Sequence, residues 1–148
     1  GATWSVCPPP PGLSVIERLE CQISLSGTDE NTLWLALRTG FSDHKVYKST
    51  DGGQTWTRQT NASRAPLYRL FLHEGVPHGV GAGGVVARLE GDTWRNVPYP
   101  DAAPVFLGAG ASLPEQHAII VGGPGGLLRV IGTQAAQASS ASPALLAH

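Results

Sequence analysis

The chain has 148 residues, of which 41% are hydrophobic and only 14% charged, and it contains 19 Gly and 12 Pro. Its formal net charge is −1, so no basic surface for nucleic acid is expected, and no apolar run is long enough to cross a membrane. This composition predicts one domain of short strands joined by many tight turns.

Two cysteines lie near the start of the chain, Cys7 and Cys21, on either side of the proline run 8–11. Because no Cys-x-x-Cys motif is present, a zinc site is disfavoured. The pair can form one disulfide in an oxidising compartment, or it can remain two buried thiols, and both alternatives stay open. We expect an extracytoplasmic protein, secreted or periplasmic.

The predicted strands fall into three successive units. In the first unit we expect strands at residues 20–25, 32–38, 45–49 and 54–59. In the second unit we expect them at residues 68–72, 78–81, 85–89 and 93–97. The third unit offers residues 105–108, 118–121 and 127–131, and then an Ala- and Ser-rich segment, 135–148, that is predicted to be disordered.

Internal repeats support this division. The pattern Gly-x-Thr-Trp occurs at residues 1–4, 53–56 and 91–94, with spacings close to the ~40–50 residues of a four-stranded propeller blade. A second pattern relates residues 80–88 to 121–129. It aligns the basic residues Lys48, Arg88 and Arg129 across the three units.

The third unit lacks a Trp strand, whereas residues 1–6 supply a Gly-x-Thr-Trp strand with no preceding partners. An N-terminal strand that completes the last blade would remove exposed sheet edges. Because three blades are fewer than the usual four to eight, two alternatives stay open. Two copies exchange residues 1–6 and close a six-bladed ring, or the chain is a piece of a longer protein.

Residues 49–56, with the sequence STDGGQTW, match every defined position of the Asp-box pattern Ser-x-Asp-x-Gly-x-Thr-Trp. The chain therefore resembles the Asp-box, or BNR-repeat, propellers: sialidases, sortilin-type receptors and the photosystem II assembly factor family. The resemblance implies an all-β propeller-like fold of about three four-stranded blades over residues 1–134. It also implies that the Asp-box lies on the hairpin between the third and fourth strands.

The resemblance gives the motif a structural role. The residues concerned are Ser49, Asp51, Gly53, Thr55 and Trp56, with Trp4 and Trp94 as the repeated tryptophans. In that role Asp51 accepts backbone hydrogen bonds while the glycines adopt positive φ. A single carboxylate cannot supply the several oxygens that calcium needs.

Enzymatic constellations are not evident in the sequence. A sialidase requires three arginines, a tyrosine and glutamate pair and an acidic donor, but the acidic residues here lie mainly in predicted turns. His73 and His78, with Glu74 between them, lack a third ligand and are expected to be loop histidines. We therefore expect no catalytic residue, no metal and no cofactor.

The expected binding residues lie in loops that follow each Trp strand, because such loops meet at one face of a propeller. They are Arg18, Arg64, Tyr68, Arg69 and Tyr99. The predicted function is a non-enzymatic binding or assembly module for a protein partner. A carbohydrate-binding lectin, or a fragment of a sialidase-like glycoside hydrolase, is the alternative.

Overall fold

The computed structural model describes residues 6–14, 22–39, 43–100 and 104–133. This part of the chain is all-β, with eleven strands and three single-turn 3-10 helices. The strands are β1 (Gln22–Gly27), β2 (Leu33–Thr39), β3 (Asp43–Ser49), β4 (Thr57–Asn61), β5 (Leu67–His73), β6 (Val76–Gly81), β7 (Val86–Glu90), β8 (Thr93–Asn96), β9 (Ala109–Leu113), β10 (Ala118–Gly123) and β11 (Leu127–Gly132). They form three antiparallel meanders in chain order, β1–β4, β5–β8 and β9–β11.

Strand β2 in the first meander is buried on both faces. Leu35 and Leu37 pack with Tyr47 of β3 on one face, which points away from the second meander. Trp34 and Ala36, which alternate with them, pack against the second meander. Because successive side chains in a strand point to opposite faces, a run of apolar residues is buried only where both faces are covered.

The first two meanders join into one eight-stranded sheet. Strand β4 pairs in parallel with β8 over only two residue pairs, one of them Asn61 with Trp94. At the opposite end of the sheet, β1 lies against β5, and the Leu70 backbone N–H donates to the buried hydroxyl of Ser24 at 2.8 Å. The sheet is therefore nearly closed and barrel-like.

Two apolar cores separate the three meanders. The first core lies between the first and second meanders and includes Trp34, Val46, Leu70 and Trp94. Trp94 is fully buried, with an exposure of 0%. The second lies between the second and third meanders, where β9 packs on β5. It consists of Phe71, Val80, Val86, Leu107, Ile119, Val121 and Ile131.

One tight turn occurs twice with the same geometry. Ala82–Gly84 joins β6 to β7, and Pro124–Gly126 joins β10 to β11. The middle glycines, Gly83 and Gly125, have φ of 64° and 69°, in the left-handed region that favours glycine. In each turn the next residue donates its backbone N–H to the carbonyl of the first. The second and third meanders are therefore structural repeats around this turn.

The repeated turn corrects the sequence alignment of the basic residues. When the turns are superposed, Arg88, which pairs with His78, corresponds to Val130, which pairs with Ile120. Arg129 lies one residue earlier and points to the opposite face of its sheet. The predicted match of Arg88 with Arg129 is wrong by one residue, because the third unit has one more residue before its turn.

The predicted strand at 105–108 is also wrong, since β9 begins after it. The Leu107 N–H donates to the Gly81 carbonyl at 3.0 Å, and the Gly108 N–H donates to the Gly122 carbonyl at 3.0 Å. Residues 105–108 therefore lie outside the strands, and the two hydrogen bonds connect them to the ends of two different meanders. The apolar sequence of this segment does not distinguish a strand of one sheet from a connection between two meanders.

Several predicted features lie outside the described residues. They are the first five residues of the predicted strand 1–6, the residues Arg18 and Cys21, and the tail 135–148. The pairing of Cys7 with Cys21 therefore stays a prediction. Within the described ranges, no helix has the length and apolar character needed to span a membrane.

Candidate functional site

The turn between β3 and β4 is held by side chains within residues 49–56. Gly52 and Gly53 have φ of 67° and 87°. The Ser49 hydroxyl accepts the Gly53 N–H at 2.8 Å and donates to Asp51 Oδ1 at 2.8 Å. Asp51 also accepts the backbone N–H of Thr55 at 2.8 Å and its hydroxyl at 2.6 Å. Side-chain and backbone groups thus close the turn together.

These contacts determine the charge of Asp51. The Thr55 hydroxyl, followed by the Thr55 N–H and the Ser49 hydroxyl, stabilises the carboxylate and lowers the pKa of Asp51 to about 2. The carboxylate is therefore ionised at neutral pH, and both of its oxygens are engaged within the turn. This arrangement leaves Asp51 poorly suited to acid or base catalysis.

The two described repeat tryptophans have different surroundings. Trp56 packs against the cluster of Leu35, Leu37 and Tyr47, on the face of the first meander that points away from the second. Trp94 is fully buried between the first two meanders. Both tryptophans follow a Gly-x-Thr sequence, but Trp56 lies on an outer face of the sheets and Trp94 lies in the core between two of them.

An arginine and two aromatic rings meet where the connections after β4 and after β8 enter the next meander. The ring centroids of Tyr68 and Phe106 lie 4.6 Å apart. The guanidinium carbon of Arg38, at the end of β2, lies 4.6 Å above the Tyr68 ring. Phe106 is 46% exposed. We call Arg38, Tyr68 and Phe106 the arginine–aromatic cluster.

Arg64 and Arg69 are close to this cluster in the chain. Arg69 is exposed on β5, and Arg64 is exposed in the β4–β5 turn with a positive φ of 56°. No carboxylate of the described residues lies within ion-pair distance of either guanidinium. Of the predicted binding residues, Arg64, Tyr68 and Arg69 lie within one short stretch of the chain, and Tyr68 is the one that the contacts place in the cluster.

Tyr99 has a different position. Its hydroxyl donates to the Gly84 carbonyl at 2.7 Å, and its ring packs in the core between the second and third meanders. Burial raises the pKa of the Tyr99 hydroxyl. The structure therefore uses this tyrosine to anchor the turn at Gly84 and does not bring it into the arginine–aromatic cluster.

A cleft of about 530 Å³ lies between the second and third meanders. Its polar lining includes His73, Glu74, His78, Arg88, Asn96 and Thr133. The cleft mixes charged and apolar groups, with Val76, Leu89 and Val97 also contributing. A hydrolytic or metal site would be expected in a cleft of this kind.

His73 has a defined proton position in this cleft. The Thr133 hydroxyl donates to the His117 carbonyl at 2.7 Å, so the same oxygen accepts the Nε2–H of His73 at 3.0 Å. In the neutral imidazole, Nδ1 then accepts the Ser112 hydroxyl at 2.8 Å. His73 is therefore fully used in tying β5 to the third meander.

His78 is buried and lies edge-on to His73, with ring centroids 5.5 Å apart. Its Nδ1–H donates to the Val76 carbonyl at 2.9 Å, which leaves Nε2 as the unprotonated nitrogen. Burial lowers the pKa of His78, and His73 and Arg88 act in the same direction. The ring is therefore neutral at physiological pH.

The carboxylates of the cleft are paired. Glu74 contacts His117 Nδ1 at 2.6 Å, a hydrogen bond that lowers the pKa of the carboxyl. Glu90 contacts Arg88 at 2.6 Å and Arg95 at 3.3 Å. Among the residues that the structure describes, no three His, Cys, Asp or Glu side chains are arranged to hold a metal ion.

Sequence reasoning missed Arg38 and Phe106. Arg38 ends a strand in the first meander, and Phe106 belongs to the connection before β9, so their contact with Tyr68 depends on how the meanders stack. The sequence contains no local signal for this contact. A correct position for β9 would have placed Phe106 in the connecting loop.

Comparison of the chain with family models, with curated proteins and with solved structures gave no match. The geometry of the arginine–aromatic cluster and of the cleft is therefore what indicates a function for this chain.

Proposed function

We propose that the chain is a non-enzymatic protein-binding or assembly module with a propeller-like arrangement of three blades. The proposed binding face is the arginine–aromatic cluster together with Arg64 and Arg69. An extracytoplasmic location and a second copy of the chain as one partner belong to the same proposal.

Three observations support the propeller-like arrangement. The meanders stack face to face across two apolar cores, and the first strand of each lies against the first strand of the next. The β6–β7 and β10–β11 turns repeat in detail. The Asp-box sequence 49–56 joins a third strand to a fourth, which is the place that the resemblance to Asp-box propellers implies.

The observation that carries the binding proposal is the stacking of Arg38, Tyr68 and Phe106. A guanidinium above a tyrosine ring and a partly exposed phenylalanine form a rigid platform of the type enriched at the centres of protein interfaces. Arg64 and Arg69, which are exposed and close to Tyr68 in the chain, carry guanidinium groups that pair well with carboxylates. We infer a partner segment that combines an apolar or aromatic anchor with acidic residues.

The cleft supports binding over hydrolysis. Glycoside hydrolysis requires two carboxyl groups that are available to act as acid and as base or nucleophile. Glu74 is hydrogen-bonded to His117, and Glu90 is shared by two arginines. Neither carboxylate is placed in the environment that such chemistry needs.

The test uses an array of acidic, neutral and basic peptides beside an array of glycans. We expect binding to acidic peptides that contain an aromatic residue. The Arg69→Glu and Tyr68→Ala variants should each weaken it about tenfold or more, as expected for residues central to an interface. Arg58→Glu is the matched control, since Arg58 is an exposed arginine on β4 away from the cluster. Equal weakening by Arg58→Glu, or binding to glycans alone, would refute the proposal.

A further inference from the structure

The strands place the turns of the fold at two opposite ends. The β1–β2, β3–β4, β5–β6, β7–β8 and β9–β10 connections lie at one end, which we call the hairpin end, because the strands of each meander alternate in direction. The parallel pairing of β4 with β8 and the contact of Glu74 with His117 align the three meanders. The turns 82–84 and 124–126 lie at the other end with the arginine–aromatic cluster, and we call it the cluster end.

The carboxylates of the described residues lie mainly at the hairpin end. Seven of the eight are in this position: Asp29, Glu30, Asp51, Glu74, Glu90, Asp92 and Glu115. Three basic side chains at the same end pair with Asp92 or with Glu90. Positive charge at the hairpin end is therefore largely neutralised within the molecule.

The cluster end has the opposite balance of charge. The described residues nearer this end carry five Lys or Arg side chains and a single carboxylate, that of Asp43. The basic residues are Arg38, Lys45, Arg64, Arg69 and Arg129. A charge distribution of this kind attracts an anionic partner to one end of a protein and orients it there. The described surface at the cluster end is thus complementary to a segment that carries carboxylates.

An apolar groove lies beside the arginine–aromatic cluster on the third meander. Ala109, Gly122 and Leu128 line it and are neighbours across β9, β10 and β11, on the face that points away from the second meander. A Cβ on Gly122 would lie 3.3 Å from Leu128 Cδ2, and a Cβ on Gly108 would lie 3.1 Å from the Phe106 ring. The Leu128 side chain and the Phe106 ring therefore lie over two neighbouring glycines, whose backbones are joined by the Gly108 N–H bond to the Gly122 carbonyl.

Phe106 belongs both to this groove and to the cluster. Its ring lies 4.6 Å from the Tyr68 ring, and the Arg38 guanidinium lies 4.6 Å from the Tyr68 ring, so the guanidinium is within about 9 Å of Phe106. Arg129 Nη1 donates to the Leu128 carbonyl at 3.3 Å. A guanidinium group therefore lies near each of the two large apolar side chains of the groove.

We propose, on the basis of the binding function proposed above, that the groove takes an aromatic side chain of an extended partner segment and that a carboxylate two positions away binds the Arg38 guanidinium. Alternate side chains of an extended segment point to the same face and lie about 7 Å apart. This spacing fits the distance between Phe106 and the guanidinium. An adjacent residue points to the opposite face, and a residue four positions away lies about 13 Å from the anchor. The partner motif is an aromatic residue, any residue, and Asp or Glu.

The shape of the groove favours an aromatic anchor. Ala109 carries only a methyl group and Gly122 has no side chain, so a flat ring can approach the sheet closely. The exposed part of Phe106 offers a second ring for an offset or edge contact. Leu128 is 65% exposed, and the same ring would remove part of its apolar surface from water.

The first test compares three dye-labelled peptides of identical composition, each with one Trp and two Glu. The Glu residues lie one, two or four positions on either side of the Trp, so the net charge is constant and only the spacing varies. Fluorescence anisotropy should show binding about tenfold tighter for the spacing of two than for the other spacings. Equal affinity for the three peptides would overturn the proposal.

The second test fills the groove. Ala109→Leu should weaken binding of the best peptide about tenfold, whereas Ala111→Leu should leave it unchanged. The two alanines are exposed on β9 and point to the same face, but only Ala109 lines the groove. Thermal unfolding shows whether both variants are folded. Equal effects of the two substitutions on binding would contradict the assigned site.

A second matched pair on β11 tests the same groove without adding bulk. Leu128→Asp should repel the carboxylates of the peptide and remove an apolar contact, whereas Val130→Asp should have little effect. Both side chains are exposed on the same face, but only Leu128 lines the groove. Unchanged peptide affinity for Leu128→Asp would also overturn the proposal.

Other occupants of the groove give different results. If Ala109→Leu but not Ala111→Leu converted a dimer into the 15.4 kDa monomer in light scattering, the groove would be an interface between copies and the proposal would be wrong. Binding to anionic lipid vesicles without affinity for any of the peptides would refute it as well.

The groove and the binding function fail in distinguishable ways. Acidic peptides that bind regardless of spacing, lose affinity with Tyr68→Ala and are insensitive to Ala109→Leu would retain the arginine–aromatic cluster and exclude the groove. The absence of binding to every acidic peptide would refute the proposed function itself.

Discussion

Replacing Gly81 by alanine should destabilise the fold strongly because the chain passes directly over this glycine. A Cβ at Gly81 would overlap the carbonyl group of Pro66 and lie 3.0 Å from the Leu67 Cα. The obstructing atoms are backbone, so no side-chain rotation relieves the contact. The same Pro66 carbonyl accepts the Ala82 N–H at 3.0 Å, and this hydrogen bond would be displaced with it.

The cost follows from these two effects. Overpacking in a well-packed region costs about 1–3 kcal/mol, and a buried donor left without its acceptor costs about 1–3 kcal/mol more. We therefore expect Gly81→Ala to lower the free energy of unfolding by about 2–6 kcal/mol, and the midpoint of thermal unfolding by about 10 °C. This is a large share of the ~5–15 kcal/mol typical of a domain.

Urea unfolding followed by tryptophan fluorescence measures this change, with an unchanged m-value as the sign that only stability has altered. Gly132→Ala is the matched control, since a Cβ there has no neighbour within 4 Å and φ is not positive. Gly123, where a Cβ would overlap the Phe106 carbonyl, should behave like Gly81. A Gly81→Ala loss within about 1 kcal/mol of the Gly132→Ala value would refute the reasoning.

Three further predictions concern single side chains. Trp94→Ala should cost about 3–5 kcal/mol, because a fully buried indole leaves a large cavity, whereas Trp56→Ala should cost less; chemical denaturation compares them. Burial lowers the pKa of His78 below 6.5, so on acidification the unfolded chain binds a proton at this histidine before the folded chain does. The free energy of unfolding should therefore fall as the pH drops below 6.5. A His78→Gln variant should lose this pH dependence. Asp51→Ala should speed amide exchange at Gly53 and Thr55. In the wild type the turn amides should stay protected until the pH falls below 3.8, the ordinary pKa of an aspartate, towards the Asp51 pKa of about 2. Amide exchange measured by NMR, with the Asp51→Asn variant for comparison, tests both the faster exchange and its pH dependence.

Local patterns predicted the strands well where the turn chemistry was explicit. The Gly52–Gly53 pair and the glycines at 83–84 and 125–126 end strands because they adopt positive φ, so hairpins could be assigned from residue type alone. Alternation placed β2 within one residue of its observed bounds. The strand at 105–108 failed because its hydrogen bonds depend on the ends of two other meanders.

The candidate site was less predictable for the same physical reason. Arg64, Tyr68 and Arg69 follow a Trp strand directly, so a loop argument finds them. Arg38 and Phe106 reach Tyr68 only through stacking of sheets that are distant in sequence. Tyr99 also follows a Trp strand, but its hydroxyl donates to the Gly84 carbonyl, and the sequence gives no signal for this acceptor.

The two described hairpins that carry a Gly-x-Thr-Trp sequence are stabilised differently, one by local hydrogen bonds and the other by tertiary packing. At 49–56 the polar staple of Ser49, Asp51 and Thr55 is complete and Trp56 is only half-buried. At 91–94 the staple is absent and Trp94 is sealed inside the core. The first hairpin can therefore close before any sheet stacks, whereas the second becomes stable only when its neighbour arrives. Folding of the array should then begin at the first meander and spread outwards, an order that pulse-labelled amide exchange can record.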